Sequence, residues 1–180
     1  MAVSHPHMPA TTETPVDRTE PITPPDARGD DTSVGQPESF HVGMSDRSGR
    51  YADAIRLPAH TVQVLTSGTP GLTPTGAIPE TFEAEARQAW ANVRKALLAA
   101  GACLRDVVSV RAWLTDPSDI PAYERASAWF VDYQVVTSVV VVSQLRRPGM
   151  RVQVDVVAAP SAGSPSALTG IRRGGDGGPL

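Results

Sequence analysis

Arg146-Arg147-Pro148-Gly149-Met150-Arg151-Val152-Gln153-Val154-Asp155-Val156 is the stretch on which the fold turns. Pro148-Gly149 marks a turn, and the residues after it alternate strictly between apolar and polar. That period of two belongs to a β-strand with one buried face. The valines make one side. Arg151, Gln153 and Asp155 make the other, which is polar without being a densely charged solvent surface. Such a strand packs helices on its valines and offers its second face to something specific.

Working outward, residues 135–145 contain Val139-Val140-Val141-Val142. The run reads as a strand buried on both faces. Residues 81–100 read as a helix, because Phe82, Ala86, Ala89/Trp90, Val93, Leu97 and Ala100 recur on one stripe. Glu83, Glu85, Arg87, Arg94 and Lys95 are assigned to its solvent side, with acids early and bases late as the helix dipole prefers. Gly101 is the expected stop. Residues 107–115 are rich in β-branched side chains and read as a strand. Asp116-Pro117-Ser118-Asp119 is a capping turn into a second amphipathic helix marked by Ile120, Tyr123, Ala126, Phe130 and Tyr133. Upstream, residues 51–57 and 61–65 read as the two strands of a hairpin turning at Pro58-Ala59. The order ββαβαββ puts two helices on one face of a mixed sheet, a two-layer α+β domain. Its other sheet face needs a cover, and oligomerisation supplies one.

Composition narrows the function classes. The formal net charge is −3 and Lys95 is the single lysine, so no basic face for nucleic acid is expected. Cys103 is the single cysteine, which excludes an internal disulfide and suits a reducing cytoplasm. No C-x-x-C or paired-histidine spacing suggests a metal, and no cofactor motif is present. No apolar run is long enough to span a membrane, and residues 1–31 lack the pattern of a secretory signal. Residues 1–40, rich in Pro, Thr, Asp and Glu, and residues 161–180 are expected to be disordered arms around a domain at 41–160.

Several short motifs follow one another through that domain. They are Tyr51, Thr66-Ser67-Gly68, Ala86-Arg87-Gln88, Asn92, Ala99-Ala100-Gly101, Asp106-Val107-Val108, Leu114-Thr115-Asp116, Ser138-Val139-Val140 and Val152-Gln153-Val154-Asp155-Val156-Val157-Ala158. In this order the chain resembles the RidA/YjgF family of small imine-handling proteins. The resemblance implies the chorismate-mutase-like YjgF fold and a homotrimer whose sheets line a central barrel. It also implies small-molecule substrates held in clefts between subunits, with no cofactor.

Two family residues are replaced here. The arginine that clamps the substrate carboxylate stands directly before the serine matched by Ser138, which makes its position Thr137. The glutamate that places the attacking water falls at Gln153, and a two-residue shift of register offers Asp155 instead. The asparagine near the start of the second helix falls at Glu124. Thr137 does not neutralise a carboxylate, and Gln153 hydrogen-bonds water without taking its proton. The resemblance therefore points to a divergent member, not an ordinary 2-iminoacid deaminase. The catalytic candidates are Glu124, Gln153, Asp155 and Tyr51. Ser67, Gly68, Arg111, Thr137, Ser138 and Val139 are the binding candidates.

The structural alternatives stand beside these roles. Tyr51 can simply seat its strand, Ser67-Gly68 can serve the turn, and Asp155 can pair with an arginine across the trimer. Arg111, Arg146, Arg147 and Arg151 are the cations available to replace the lost clamp. Trp90, Trp113 and Trp129 read as core or interface. His60 sits at a turn, so no Ser-His-Asp arrangement is expected. The functional expectation is an enzyme acting on a reactive imine, enamine or carbonyl metabolite in a specialised biosynthetic pathway. Its rival is a non-catalytic trimer that binds a small molecule or a protein partner.

Overall fold

The alternating valines build the inner strand of a mixed sheet. In the computed structural model, which describes residues 35–161, the strands are β1 (Glu38–Phe40), β2 (Ala54–Arg56), β3 (Val64–Leu65), β4 (Thr69–Pro70), β5 (Val107–Leu114), β6 (Val136–Val141) and β7 (Val152–Ala158). The helices are α1 (Ser45–Ser48), α2 (Phe82–Ala99) and α3 (Ile120–Ala128). The sheet order is β3-β7-β5-β6, with β4 also pairing β7. β7 runs antiparallel to β5, and β5 runs parallel to β6. α2 and α3 cover one face of this sheet, the two-layer α+β arrangement expected. The expected arms fall outside the described residues, apart from residues 35–40 and 161.

The first hairpin differs from the expected one. β2 does not pair with residues 61–65. It pairs with β1, a segment the composition places in the N-terminal arm, while β3 joins the main sheet beside Val157 and Ala158. A backbone bond from Ala52 N–H to Val135 C=O (3.0 Å) ties this hairpin to the entry of β6. The Asp53 carboxylate accepts from the N–H groups of Val42 and Ser45 and closes the loop between β1 and β2.

α2 keeps its predicted limits because both ends are capped. The Thr81 hydroxyl accepts from Ala84 N–H. At the other end Gly101 adopts φ 79°, with Ala102 N–H bonding to Leu97 C=O and Gly101 N–H to Leu98 C=O, a Schellman closure. α3 stops at Ala128, earlier than its apolar stripe suggests. From the following loop Phe130 still packs against the core, and Tyr133 ties back to the main chain. Phe130 stacks on Trp90 at 5.8 Å, and the Tyr133 hydroxyl reaches the carbonyls of Leu104 and Val107.

Glu85 and Arg151 correct the reading of two surfaces. Glu85 is fully buried, not on the solvent side of α2. Its carboxylate accepts from Arg151 Nε (2.7 Å), Arg151 N–H (2.8 Å) and Val152 N–H (3.3 Å). The Arg151 guanidinium also donates to the carbonyls of Pro79 and Glu80. Arg151 therefore does not share the polar strand face with Gln153 and Asp155. It is turned back onto α2 just before β7 begins.

Val139-Val140-Val141-Val142 is not buried on both faces. Among the described residues β6 is an edge strand with β5 as its one neighbour in the sheet, and Val140 and Val141 are 39% and 40% exposed. The sheet face away from the helices carries rows set by register. Ser138, Arg111 and Asp155 form one row, and Val140, Trp113 and Gln153 the next. No described residue of this chain covers that face with a second layer.

Two predictions follow from these contacts. Glu85→Ala leaves a guanidinium and two backbone N–H groups without their acceptor, and stability in urea falls by about 3 kcal/mol. A loss below 1 kcal/mol would show that the pair does not hold β7 to α2. An added Cβ at Gly71 would stand 2.2 Å from the Glu85 carbonyl oxygen, whereas at Gly68 it would meet the movable Gln153 amide. Gly71→Ala then costs about 3 kcal/mol and Gly68→Ala about 1 kcal/mol or less, read from urea midpoints at constant m-value. The reverse ranking would refute the close approach at Gly71.

Candidate functional site

A cavity of about 680 Å³ opens between α3, the helix-facing side of β6 and residues 49–51. Its formation follows from the edge position of β6. Thr137 lies opposite Val110 in the register and so points to the helix side, as does Val139 two residues on. α3 ends at Ala128, and the chain from 129 to 135 loops outward before β6, which leaves this corner of the helical layer unfilled. Tyr51 closes one side, following Gly49, whose φ of 148° turns the chain there.

Tyr51, Glu124, Thr137 and Val139 all line this cavity. Glu124 is exposed on the first half of α3, and Tyr51 is half-buried. Arg50, Glu124 and Asp132 are the exposed charged groups of the lining, one cation with two acids at the mouth. Trp90, Val110, Tyr123 and Val135 are buried and form the floor. Burial, set against a smaller opposing effect of the Trp90 indole, pushes the Tyr123 phenol well above its ordinary range, so its hydroxyl keeps its proton. Burial also raises Tyr133, whose hydroxyl is held by main-chain carbonyls.

The remaining candidates lie elsewhere in this chain. Arg111 Nε stands 3.4 Å from Asp155 Oδ2 on the open sheet face, and Ser138 adjoins Arg111 there. Asp155 thus has its arginine within its own subunit, and its Oδ1 is buried without a hydrogen-bond partner. Gln153 lies on that face too, its amide pressed so closely on Gly68 that a Cβ there would be 1.8 Å from Nε2. Ser67 is exposed in the loop between β3 and β4, where its carbonyl accepts from the Thr69 hydroxyl. Of the other arginines, Arg151 is held by Glu85, and Arg147 donates to the Gly76 carbonyl.

Sequence reasoning missed most of the other lining residues, Trp90, Tyr123, Asp132 and Arg50 among them. Trp90 and Tyr123 read as members of apolar helix stripes, and Arg50 lay in an unpatterned loop. The legible signal was that Trp and Tyr carry polar atoms which need partners when buried. Several motifs behind the resemblance prove to be structural. Asn92 donates to the carbonyls of Pro70 and Leu72, Asp106 caps Cys103 N–H, and the Thr66 hydroxyl accepts from Val156 N–H. Among the described residues no His/Cys/Asp/Glu cluster has the grouping of a metal site.

Comparison with known proteins agrees with this architecture. The family model described as Endoribonuclease L-PSP matches residues 44–160. RidA from the Antarctic bacterium Psychrobacter is 28% identical, with 63% of this chain and 90% of that one covered and a TM-score of 0.52. Escherichia coli TdcF, solved with bound serine, is 26% identical over 62% and 94% of the chains, with a TM-score of 0.53. A member of the YjgF family from Mycobacterium tuberculosis is 28% identical over 69% and 100%, with a TM-score of 0.51. The fold and the family match place this chain in the endoribonuclease L-PSP family, the RidA/YjgF proteins.

Proposed function

We propose that this protein is a divergent RidA-family enzyme acting on an uncharged reactive imine, enamine or carbonyl metabolite. The observation that carries the reading is the cavity that brings Tyr51, Glu124, Thr137 and Val139 together. Thr137 occupies the position of the family's carboxylate clamp and is uncharged. At the cavity mouth the Glu124 carboxylate is suited to take a proton from water as its oxygen adds to the C=N carbon, then to return it to the departing amine. The Tyr51 hydroxyl is suited to orient the reacting nitrogen. Hydrolysis, dehydration, tautomerisation and ring closure all use such a proton carrier. A specialised biosynthetic pathway is the natural source of a substrate that lacks the carboxylate.

The working form we propose is a cytoplasmic homotrimer with its clefts between subunits. The uncovered sheet face supports this, since Trp113 and Val140 stand in one row there beside Gln153, and a buried Asp155 oxygen has no partner. In such an assembly Gln153, Asp155, Arg111 and Ser138 would meet a neighbouring copy. The second reading, a non-catalytic binding trimer, draws on the uncharged Thr137 and Gln153 at the positions of the clamp and the water-placing acid. A net charge of −3 argues against RNA as the substrate.

Hydrolysis of a neutral aldimine, N-benzylidenemethylamine, tests the first reading by its loss of ultraviolet absorbance. Glu124→Gln is expected to slow the enzymatic rate by at least about a hundredfold with unfolding unchanged. The 2-iminoacids released by a dehydratase should not be accelerated, whereas an arginine-bearing relative accelerates them. Binding of the aldimine without turnover, weakened but not abolished in Glu124→Gln, would favour the binding trimer. Installing the clamp is a separate check. Thr137→Arg should raise affinity for 2-oxobutanoate by about tenfold or more in calorimetry, and no gain would mean that this position does not face the ligand.

A further inference from the structure

The cavity has a direction. Glu124, Ser127, Ala128 and Val131 all line it, and they follow one another at helical spacing along α3 and its exit. A backbone bond from Val131 N–H to Ser127 C=O (3.0 Å) carries the coil past the end of α3. The lining therefore runs roughly 10 Å along this stripe, with a carboxylate at its start and a valine at its end.

The facing wall is β6, which contributes Thr137 and Val139. Val131, Thr137 and Val139 are half-buried, so their side chains are open to a bound molecule, and none of them carries charge. The buried Val110 and Val135 back this wall. Each methylene group taken out of water against such a surface is worth about a fourfold gain in affinity. At about 680 Å³ the cavity also falls within the range, roughly 300–1,000 Å³, that holds molecules of drug size. A substrate as small as 2-oxobutanoate would leave most of these apolar walls wet. Its carboxylate would meet no buried cation among them.

We infer that the substrate carries a long alkyl or aryl group, which lies between the Val131 turn and the Val139 wall while its C=N or C=O group stays beside Glu124 at the mouth. This rests on the reading of the cavity as the substrate site and adds a substrate class to it. The molecule is a hydrophobic imine, aldehyde or ketone, larger than the short iminoacids that a dehydratase releases. Val139 is then a specificity-determining residue, because its side chain sets how much hydrocarbon the cavity accepts. Proton transfer belongs to Glu124.

Calorimetry on the full chain tests the inference with 2-hexanone, 2-heptanone and 2-octanone, stable ketones that differ only in methylene groups. Affinity should rise about threefold to fourfold with each added methylene. 2-Octanone should bind at least about tenfold tighter than 2-oxooctanoate, a chain of the same length that carries a carboxylate. Val139→Trp fills the wall and should weaken 2-octanone by about tenfold or more. Ala128→Trp, at an exposed position of the facing stripe, makes the same test should Val139→Trp fail to fold. Equal affinities along the series, no binding of 2-octanone, tighter binding of 2-oxooctanoate, or a folded tryptophan variant that binds 2-octanone as the wild type does would each overturn the inference. A rising series without aldimine turnover would leave the apolar compartment standing and remove the enzymatic reading. Turnover of N-benzylidenemethylamine with a flat series would do the reverse.

Discussion

A carboxylate buried in a helix must find donors, and in this chain those donors lie at the start of the last strand. Glu85 takes two main-chain N–H groups and the Arg151 guanidinium, and the same guanidinium fastens the carbonyls of Pro79 and Glu80 just before α2 begins. One ionic contact thereby sets the helix N-terminus, the strand start and the loop between them in a single register. β7 pairs with β3, β4 and β5, so its register propagates through the sheet. A one-residue slip of β7 would turn Val152, Val154 and Val156 toward the open face. The fixed end at Arg151 and the apolar alternation therefore oppose the same error.

The position of each candidate residue follows from that register. Strand side chains alternate, so Thr137 and Val139 of β6 enter the helix-side cavity while Ser138 between them faces the open side. Gln153 and Asp155 share the open face with Arg111 and Trp113. Within one chain the candidates thus fall into two groups on opposite sides of a sheet. The edge strand β6 borders both, and its exposed Val140 and Val141 are the surface that a neighbouring copy would cover in the proposed trimer.

The sequence was most readable where local chemistry decides structure. α2 is fixed by its stripe, its Thr81 cap and Gly101, and β5 and the alternating part of β7 by their residue types; each falls close to its predicted limits. It was least readable where the partner is distant. Nothing local says that Ala54–Arg56 pairs back to Glu38–Phe40, or that a valine run lies at a sheet edge. Glu85 was misread because a helix acid near two other charges resembles a solvent face, and its acceptor role depends on Arg151, 66 residues later. For the site, the resemblance directed attention to Tyr51, Glu124, Thr137 and Val139, which do meet. It had nothing to say about Trp90 and Tyr123, which come from two different helices to line the same cavity.

The uncharged Thr137 on the cavity wall and the apolar floor below it point the same way. A clamp for a carboxylate needs a cation that survives partial desolvation, and the floor of this cavity has none. The cavity instead keeps its charges at the mouth, where water can solvate Arg50, Glu124 and Asp132, and keeps buried, uncharged side chains at depth. A charged ligand moving in among these apolar walls would lose its hydration with no buried cation to replace it. The proposed preference for an uncharged substrate rests on where the charges sit, and it would hold whether the mouth performs proton transfer or only closes over a bound molecule.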